Sequence, residues 1–311
     1  MNTVFLVQPF GDLASRLGPL PDGVMARTAV RFDELDGELA DIRALVAMPQ
    51  ALNQALIDKM PRLQWLQTLT AGTDALASLR LPEDLVVSTI AGIHGPQMAE
   101  LVFFYMLSFT RDVRAVLGRQ QRHEWKPQAQ RLLSGAHIVV LGVGKIAEAL
   151  AARCQAFGMK VTGISNSRRE APGFDRVLPV ENLEEAAATA DYLVILTPYS
   201  PRTHHLVSER VIAAMPGHGV LINIARGPVV DEAALAHALA EQRLGGAGLD
   251  VFEREPLPAE SPLWDLPNVI ITPHVGGWSD QFASQAAPII AENIRRWFAA
   301  PRPGLINQIN P

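Results

Sequence analysis

The chain of 311 residues has one cysteine, three tyrosines and only 6% aromatic residues. A single thiol makes neither an intramolecular disulfide nor a cysteine-based zinc site. Cys154 falls in an alanine-rich helical stretch, where an inert buried thiol is expected. No stretch approaches the roughly 18 consecutive apolar residues of a membrane span. The longest apolar run, Leu101 to Leu107, is followed closely by Arg111, Asp112 and Arg114. The segment Met1 to Pro9 has no basic n-region, and its apolar run is too short for a signal peptide. A cytoplasmic protein is therefore expected. Basic blocks are also missing. With 27 Lys and Arg against 32 Asp and Glu, the formal net charge is −5. Nucleic acid and anionic membrane are accordingly not expected as partners. No metal site is evident, and there is neither a low-complexity tract nor a repeat of solenoid period.

Apolar material is plentiful, at 48% hydrophobic against 19% charged residues. That excludes a disordered chain and suffices for two cores. At roughly 150 residues per domain, the length suggests about two domains.

Strand-like and helical runs alternate throughout, which predicts an α/β fold with parallel sheets covered by helices. In the first hundred residues Val4–Val7, Ala29–Phe32, Ala44–Met48, Trp65–Leu69 and Val86–Ile90 read as strands, with a helical pattern over Pro49–Met60. A second series comprises His137–Leu141, Lys160–Ile164, Tyr192–Leu196, Val220–Ile224, Gly246–Val251 and Val269–Ile271. Most of these are continuous apolar runs, as in strands buried on both faces. Helices are predicted over Ile146–Phe157, Leu183–Ala190 and Glu232–Gln242. A long helix, about Pro96 to Arg122, separates the two series. A last helix, about Gln281 to Ala299, is long enough to run back to the first. The expected organisation is a discontinuous smaller domain, 1–95 with 281–311, and an inserted larger domain, 96–280.

Ile138 to Ala147 form a strand that runs into Gly-x-Gly-x-x-Ala and then a helix. Gly142 permits the tight turn, Gly144 lets the backbone approach a pyrophosphate, and Ala147 is small enough for close helix–strand packing. The first N–H groups of the helix, at Lys145 and Ile146, face the phosphates. Inside a βαβ unit this motif predicts dinucleotide binding. Roughly 20 residues further on, an Asp or Glu would bond the ribose 2′-hydroxyl of NAD. Ser165 stands there instead, followed by Asn166, Ser167, Arg168 and Arg169. Small hydroxyls and two guanidiniums, with no carboxylate at that place, predict a preference for NADP(H), with NAD(H) possible.

Three further segments each begin at the carboxyl end of a predicted strand, where an open α/β sheet places its ligand. They are Ala225-Arg226-Gly227 leading to Asp231-Glu232, Asp250-Val251-Phe252-Glu253-Arg254-Glu255-Pro256-Leu257, and Thr272-Pro273-His274-Val275-Gly276-Gly277. Arg226, Glu255 and His274 are thus the candidate reactive groups.

In this order after a glycine-rich turn, the segments resemble the D-isomer-specific 2-hydroxyacid dehydrogenase family, most closely its glyoxylate/hydroxypyruvate reductases. The resemblance implies Rossmann-like and flavodoxin-like domains, the cofactor domain inserted into the substrate domain. It also implies reduction of a 2-oxo acid to the D-2-hydroxy acid. His274 would be the general acid, Glu255 its hydrogen-bond partner, and Arg226 the clamp on carboxylate and carbonyl oxygen. Thr197, Pro198, Ile224, Ala225, Asp250 and Gly276 match positions that flank the cofactor, Asp250 near the nicotinamide amide. Ala71 and Gly72 match the loop whose N–H groups hold the substrate carboxylate. Trp125 matches an aromatic residue that some reductases lend to the neighbouring subunit, in keeping with a homodimer. The apolar circumference of the long helix from Pro96 also suits a dimer. His94 opens that helix and is a further candidate for contact with substrate or cofactor.

Two siblings are disfavoured. A chain ending at Pro311 leaves no room for the added regulatory domain of many phosphoglycerate dehydrogenases, and Glu255 stands where formate dehydrogenase relatives carry an amide. The alternatives are a phosphoglycerate or D-lactate-type dehydrogenase and, from another class, a cofactor-sensing corepressor-like binding protein.

Overall fold

The computed structural model describes residues 2–8 and 12–309. Met1, Pro9 and Pro311, on which the readings of the two chain ends partly rest, lie outside them. The elements in chain order are β1 (Asn2–Val7), α1 (Leu13–Arg16), β2 (Val24–Ala29), β3 (Ala44–Ala47), α2 (Gln54–Asp58), β4 (Trp65–Thr68) and β5 (Val86–Ser88). The chain continues through α3 (Gly95–Thr110), α4 (Val113–Gln121), β6 (His137–Leu141), α5 (Lys145–Ala156), β7 (Lys160–Ile164), β8 (Arg176–Leu178), α6 (Leu183–Ala187) and β9 (Tyr192–Ile195). Last come α7 (Glu209–Ala214), β10 (Val220–Asn223), α8 (Glu232–Ala240), β11 (Gly246–Leu249), β12 (Val269–Ile271), α9 (Phe282–Phe298) and β13 (Gln308–Ile309). They fall into two compact units, residues 1–93 with 279–311 and residues 94–278.

The first unit holds a sheet in the order β13-β5-β4-β3-β1-β2, parallel except for β13, which pairs antiparallel with β5. Alternate residues of β1 feed two cores. Val4 and Leu6 join Trp65 and the Ala286, Ile290 and Ile294 face of α9, while Phe5 and Val7 join Leu45, Ile57 and Leu66. Trp297 of α9 stacks on Trp65 with ring centroids 5.4 Å apart.

The second unit holds a fully parallel sheet in the order β12-β11-β10-β9-β6-β7-β8. Ile138 and Val140 of β6 point to a core shared with α3 and α5, and Val139 and Leu141 to one shared with α6, α7 and α8. A strand buried on both faces needs apolar residues at every position, which is why these runs do not alternate. The strand order reverses beside β6, so the turn after β6 opens at the crevice where such sheets bind ligands. Cys154 is buried on α5 and burial pushes its thiol up to about 12, which makes it inert at neutral pH.

Three expectations about elements are corrected. The strand expected at Ala29–Phe32 is β2, which ends at Ala29, with a 3-10 turn over Phe32–Leu35. It is an edge strand whose four central residues, Met25 to Thr28, are exposed, and Arg27 and Thr28 interrupt its apolar run, so the sequence marks only its end. The helix expected over Pro49–Met60 is a 3-10 turn, Pro49–Ala51, followed by α2, because the Asn53 side chain caps Leu56 N–H at 2.9 Å and starts a new helix. The long helix from Pro96 to Arg122 is two helices. Asp112 takes a left-handed conformation, φ +48°, between α3 and α4, and Thr110 Oγ1 turns back onto the carbonyl of Met106 at 2.5 Å.

Candidate active site

The glycine-rich turn joins β6 to α5. Gly142 has φ +99°, and a Cβ on it would lie 2.7 Å from the backbone nitrogen of Thr197, so only glycine fits where this turn crosses the end of β9. Around Gly144 a Cβ would meet nothing within 4 Å. Open space at that backbone, with the free amides of Lys145 and Ile146 beginning a helix of 12 residues, fits the pyrophosphate of a dinucleotide. Ala147 is fully buried.

At the end of β7, Ser165 is buried and its Oγ accepts the N–H groups of Ser167 and Arg168 at 3.3 and 3.2 Å, which closes the turn. The two guanidiniums are not poised alone. Arg169 Nη1 donates to the carbonyls of Ser165 and Arg168, both at 2.9 Å. Arg168 Nη1 donates to Glu148 Oε1 at 2.6 Å. Position 165 bears no acid, but the first turns of α5 bring Glu148 to this place. Glu148 also pairs with Lys145 at 3.0 Å, and its carboxyl is held below the usual carboxylate range by the hydrogen bonds from Arg168 and Lys145.

The remaining residues follow three adjacent parallel strands. After β10, the Asn223 side chain accepts from Ala225 N–H at 3.1 Å and donates to the carbonyl of Arg226 at 3.0 Å, while Arg226 Nη1 donates to the carbonyl of Ala225 at 2.6 Å. Ile224 and Ala225 are buried and Arg226 is half-buried. Gly227 is the crossing point of two loops. A Cβ there would lie 1.9 Å from the carbonyl carbon of Phe252, so the segment after β10 reaches the segment after β11 only with glycine at this position.

After β11, Glu255 Oε1 accepts the N–H of Phe252 at 3.0 Å and its Oε2 meets His274 Nδ1 at 2.7 Å. Burial pushes the Glu255 carboxyl up. The hydrogen bonds from His274 and Phe252 outweigh it, and Arg226 adds to them, so the net displacement is downward. The same bond from Glu255 raises the imidazole of His274 above its ordinary value, against burial and the repulsion of Arg226. The pair is therefore an ionised carboxylate holding an imidazole that keeps its proton readily, with the guanidinium within electrostatic reach.

His274 has φ +53°, an uncommon conformation for a residue with a side chain. Its N–H donates to the carbonyl of Asp250 at 2.8 Å. The buried carboxylate of Asp250 accepts from Thr272 Oγ1, from Val275 N–H at 2.9 Å and from Gly276 N–H at 2.8 Å. Tyr105, fully buried on α3, completes the chain at 2.5 Å from Thr272 Oγ1. Sequence reading missed Thr272 and Tyr105. The first lies in the His274 motif, whereas nothing near Tyr105 in the sequence marks it.

Thr197 and Pro198 follow β9, and the carbonyl of Pro198 accepts from Thr203 Oγ1 at 2.9 Å. His94 is buried at the start of α3, where burial lowers its pKa, and a Cβ on Gly277 would lie 3.3 Å from its ring. Trp125 is 95% exposed in a segment without regular structure. Ala71 and Gly72 lie in the other unit, in the loop after β4, where Thr70 Oγ1 donates to the carbonyl of Gly72 at 2.6 Å. The structure thus brings Arg226, Glu255 and His274 together within one unit. No cluster of His, Cys, Asp and Glu suited to a metal ion occurs among the described residues.

Comparison with known proteins points the same way. Residues 103–276 match the model of the D-isomer specific 2-hydroxyacid dehydrogenase NAD-binding domain. A hydroxyphenylpyruvate reductase of Plectranthus scutellarioides is 34% identical over 272 residues, 86% of each chain. A glyoxylate/hydroxypyruvate reductase B of Citrobacter koseri is 33% identical over 264 residues, 82% of this chain and 81% of the relative. The crystal structure of an NADPH-dependent glyoxylate/hydroxypyruvate reductase from Sinorhizobium meliloti, solved with NADP and sulfate, superposes with a TM-score of 0.85. Its identity is 27%, and the match covers 100% of this chain and 98% of that one.

Proposed function

Since the chain belongs to the D-isomer specific 2-hydroxyacid dehydrogenase family, in its glyoxylate/hydroxypyruvate reductase branch, and is an NAD(P)-dependent enzyme, we propose that it reduces a small 2-oxo acid of the glyoxylate or hydroxypyruvate type to the D-2-hydroxy acid, with NADPH preferred and His274 as general acid. The observation that carries this reading is the 2.7 Å bond between His274 and Glu255 beside Arg226, at the carboxyl ends of β10, β11 and β12.

The cofactor supplies hydride to the 2-oxo carbon. As charge grows on the carbonyl oxygen, a proton donor and a fixed positive charge are needed. His274 gives its proton from Nε2, because Nδ1 is committed to Glu255. Glu255 thereby sets the tautomer and keeps the ring charged until transfer. The planar fork of Arg226 holds the carboxylate and the nascent alkoxide. Asp250 and Gly276 flank the nicotinamide end of the cofactor, and the bonds of the Asp250 carboxylate to Val275 and Gly276 N–H also fix the backbone of the His274 loop. Gly142, Gly144, Lys145 and Ile146 hold the pyrophosphate. Thr197, Pro198, Ile224 and Ala225 flank the cofactor, and Ser165, Ser167, Arg168 and Arg169 take the adenosine ribose and its phosphate. Ala71 and Gly72 are assigned to the substrate carboxylate, and Trp125 to the site of a neighbouring subunit in a cytoplasmic homodimer.

The test is the initial rate of nicotinamide oxidation with NADPH and NADH in parallel, against glyoxylate, hydroxypyruvate, pyruvate and hydroxyphenylpyruvate. Fast turnover of glyoxylate and hydroxypyruvate with NADPH is the expected result. Turnover confined to hydroxyphenylpyruvate or to NADH would replace the substrate or cofactor assignment. Sedimentation of a monomer would remove the homodimer and with it the role of Trp125.

A further inference from the structure

At the adenosine end of the glycine-rich turn, three cations and one anion come together. Glu148 reaches Arg168 at 2.6 Å and Lys145 at 3.0 Å, and its side chain is only 18% exposed. Arg168 is further held by a 3.4 Å contact to the carbonyl of Val143, inside the turn itself. Arg169 spends Nη1 on backbone carbonyls. The positive charge that would favour a 2′-phosphate is thus partly cancelled before any ligand arrives. The cancelling group sits one residue beyond Ala147, on the helix that the phosphates approach.

We propose that Glu148 determines cofactor specificity, as an internal counter-ion that competes with the 2′-phosphate of NADP(H) for Arg168. This rests on the assignment of the 165–169 turn to the adenosine ribose. A phosphate oxygen and a carboxylate oxygen on the same guanidinium stand a few ångströms apart, both negative and shielded from bulk water on one side. Their repulsion opposes the phosphorylated cofactor and leaves the unphosphorylated one nearly untouched. Engagement of a 2′-phosphate then requires Arg168 to divide its donors or to release Glu148 to Lys145, which already holds the other carboxylate oxygen. Glu148 therefore narrows a preference that Ser165, Arg168 and Arg169 would otherwise make steep.

Calorimetric titration with adenosine 2′,5′-bisphosphate and with 5′-AMP tests this without turnover, since the two probes differ only in the 2′-phosphate. Glu148→Gln, similar in size and still able to accept from Arg168, is expected to tighten the bisphosphate about tenfold and to change 5′-AMP by less than about twofold. Unchanged 5′-AMP affinity also shows that the variant is folded. In an Arg168→Ala background the gain from Glu148→Gln should largely vanish, because coupled residues are not additive. Weaker bisphosphate binding by Glu148→Gln would overturn the proposal and make Glu148 a brace that presents Arg168. Equal effects on both probes, or none, would also overturn it. If wild-type protein binds the bisphosphate no tighter than 5′-AMP and Arg168→Ala changes neither, the assignment of the turn to the 2′-phosphate fails instead.

Discussion

His274 Nδ1 lies 2.7 Å from Glu255 Oε2, and each residue moves the other's titration in the direction that preserves a charged pair. With His274 as the proposed general acid, the protonated imidazole would be the active form for reduction. Because its pKa is raised, kcat/KM for the 2-oxo acid should be maximal below that pKa and fall as pH rises through it. Oxidation of the hydroxy acid should show the opposite limb. Glu255→Gln removes the main cause of the upward displacement, so the falling limb should move to lower pH. A pH–rate profile of the two proteins checks this, and an unmoved limb would detach Glu255 from the proton transfer. His274→Gln should cost about 10²–10⁴ in kcat at any pH.

Arg226→Lys keeps the charge and loses the fork. If the guanidinium clamps carboxylate and alkoxide together, kcat/KM should drop about 10²–10³-fold. Dissociation constants for the nicotinamide cofactor, measured by fluorescence, should stay near those of the parent.

Gly227→Ala places a methyl group where the backbone of Phe252 already runs, at 1.9 Å. The two loops must part, and the Glu255 segment moves with Phe252. Urea unfolding should show a loss of about 1–3 kcal/mol or more, the range of overpacked sites, together with reduced kcat. Stability equal to the parent would mean that the crossing is looser in solution.

Asp250→Asn replaces an acceptor-only group with one that carries two donors. Facing Thr272, Val275 and Gly276, which all donate, an amide leaves at least one buried N–H unmatched. A loss of about 1–3 kcal/mol is expected. The His274 loop should also loosen, visible as faster amide exchange at Val275 and Gly276. Thr272→Val should reproduce part of the effect, and Tyr105→Phe less.

What could be read directly was whatever the chain encodes locally. The strands predicted at β6, β7 and β12 match from end to end; in β6 the reason is plain, since a strand buried on both faces writes its hydrophobicity at nearly every residue. The renewed helix at Asn53 and the break at Asp112 escaped because their signals are polar and compete with stronger ones nearby, and the edge strand β2 because its exposed centre is interrupted by Arg27 and Thr28.

The same division runs through the site. Gly142, Gly144 and Ala147 announce their turn because its steric needs lie within a few residues of each other, and Arg226, Glu255 and His274 are marked by short segments that each follow a strand. Their union, however, depends on Gly227 letting one backbone lie against another, and the left-handed turn of His274 is held by Asp250, 24 residues earlier, whose carbonyl accepts the His274 N–H and whose carboxylate accepts those of Val275 and Gly276. Glu148 and Arg168, 20 residues apart, pair only because α5 and the end of β7 meet above the glycine turn. The sequence by itself therefore determined the alternation of strands and helices, the dinucleotide turn and which side chains are candidates for the chemistry, because those follow from local sterics and strand periodicity. Tertiary structure alone decided which charges face each other, because electrostatic pairing depends on distance in space.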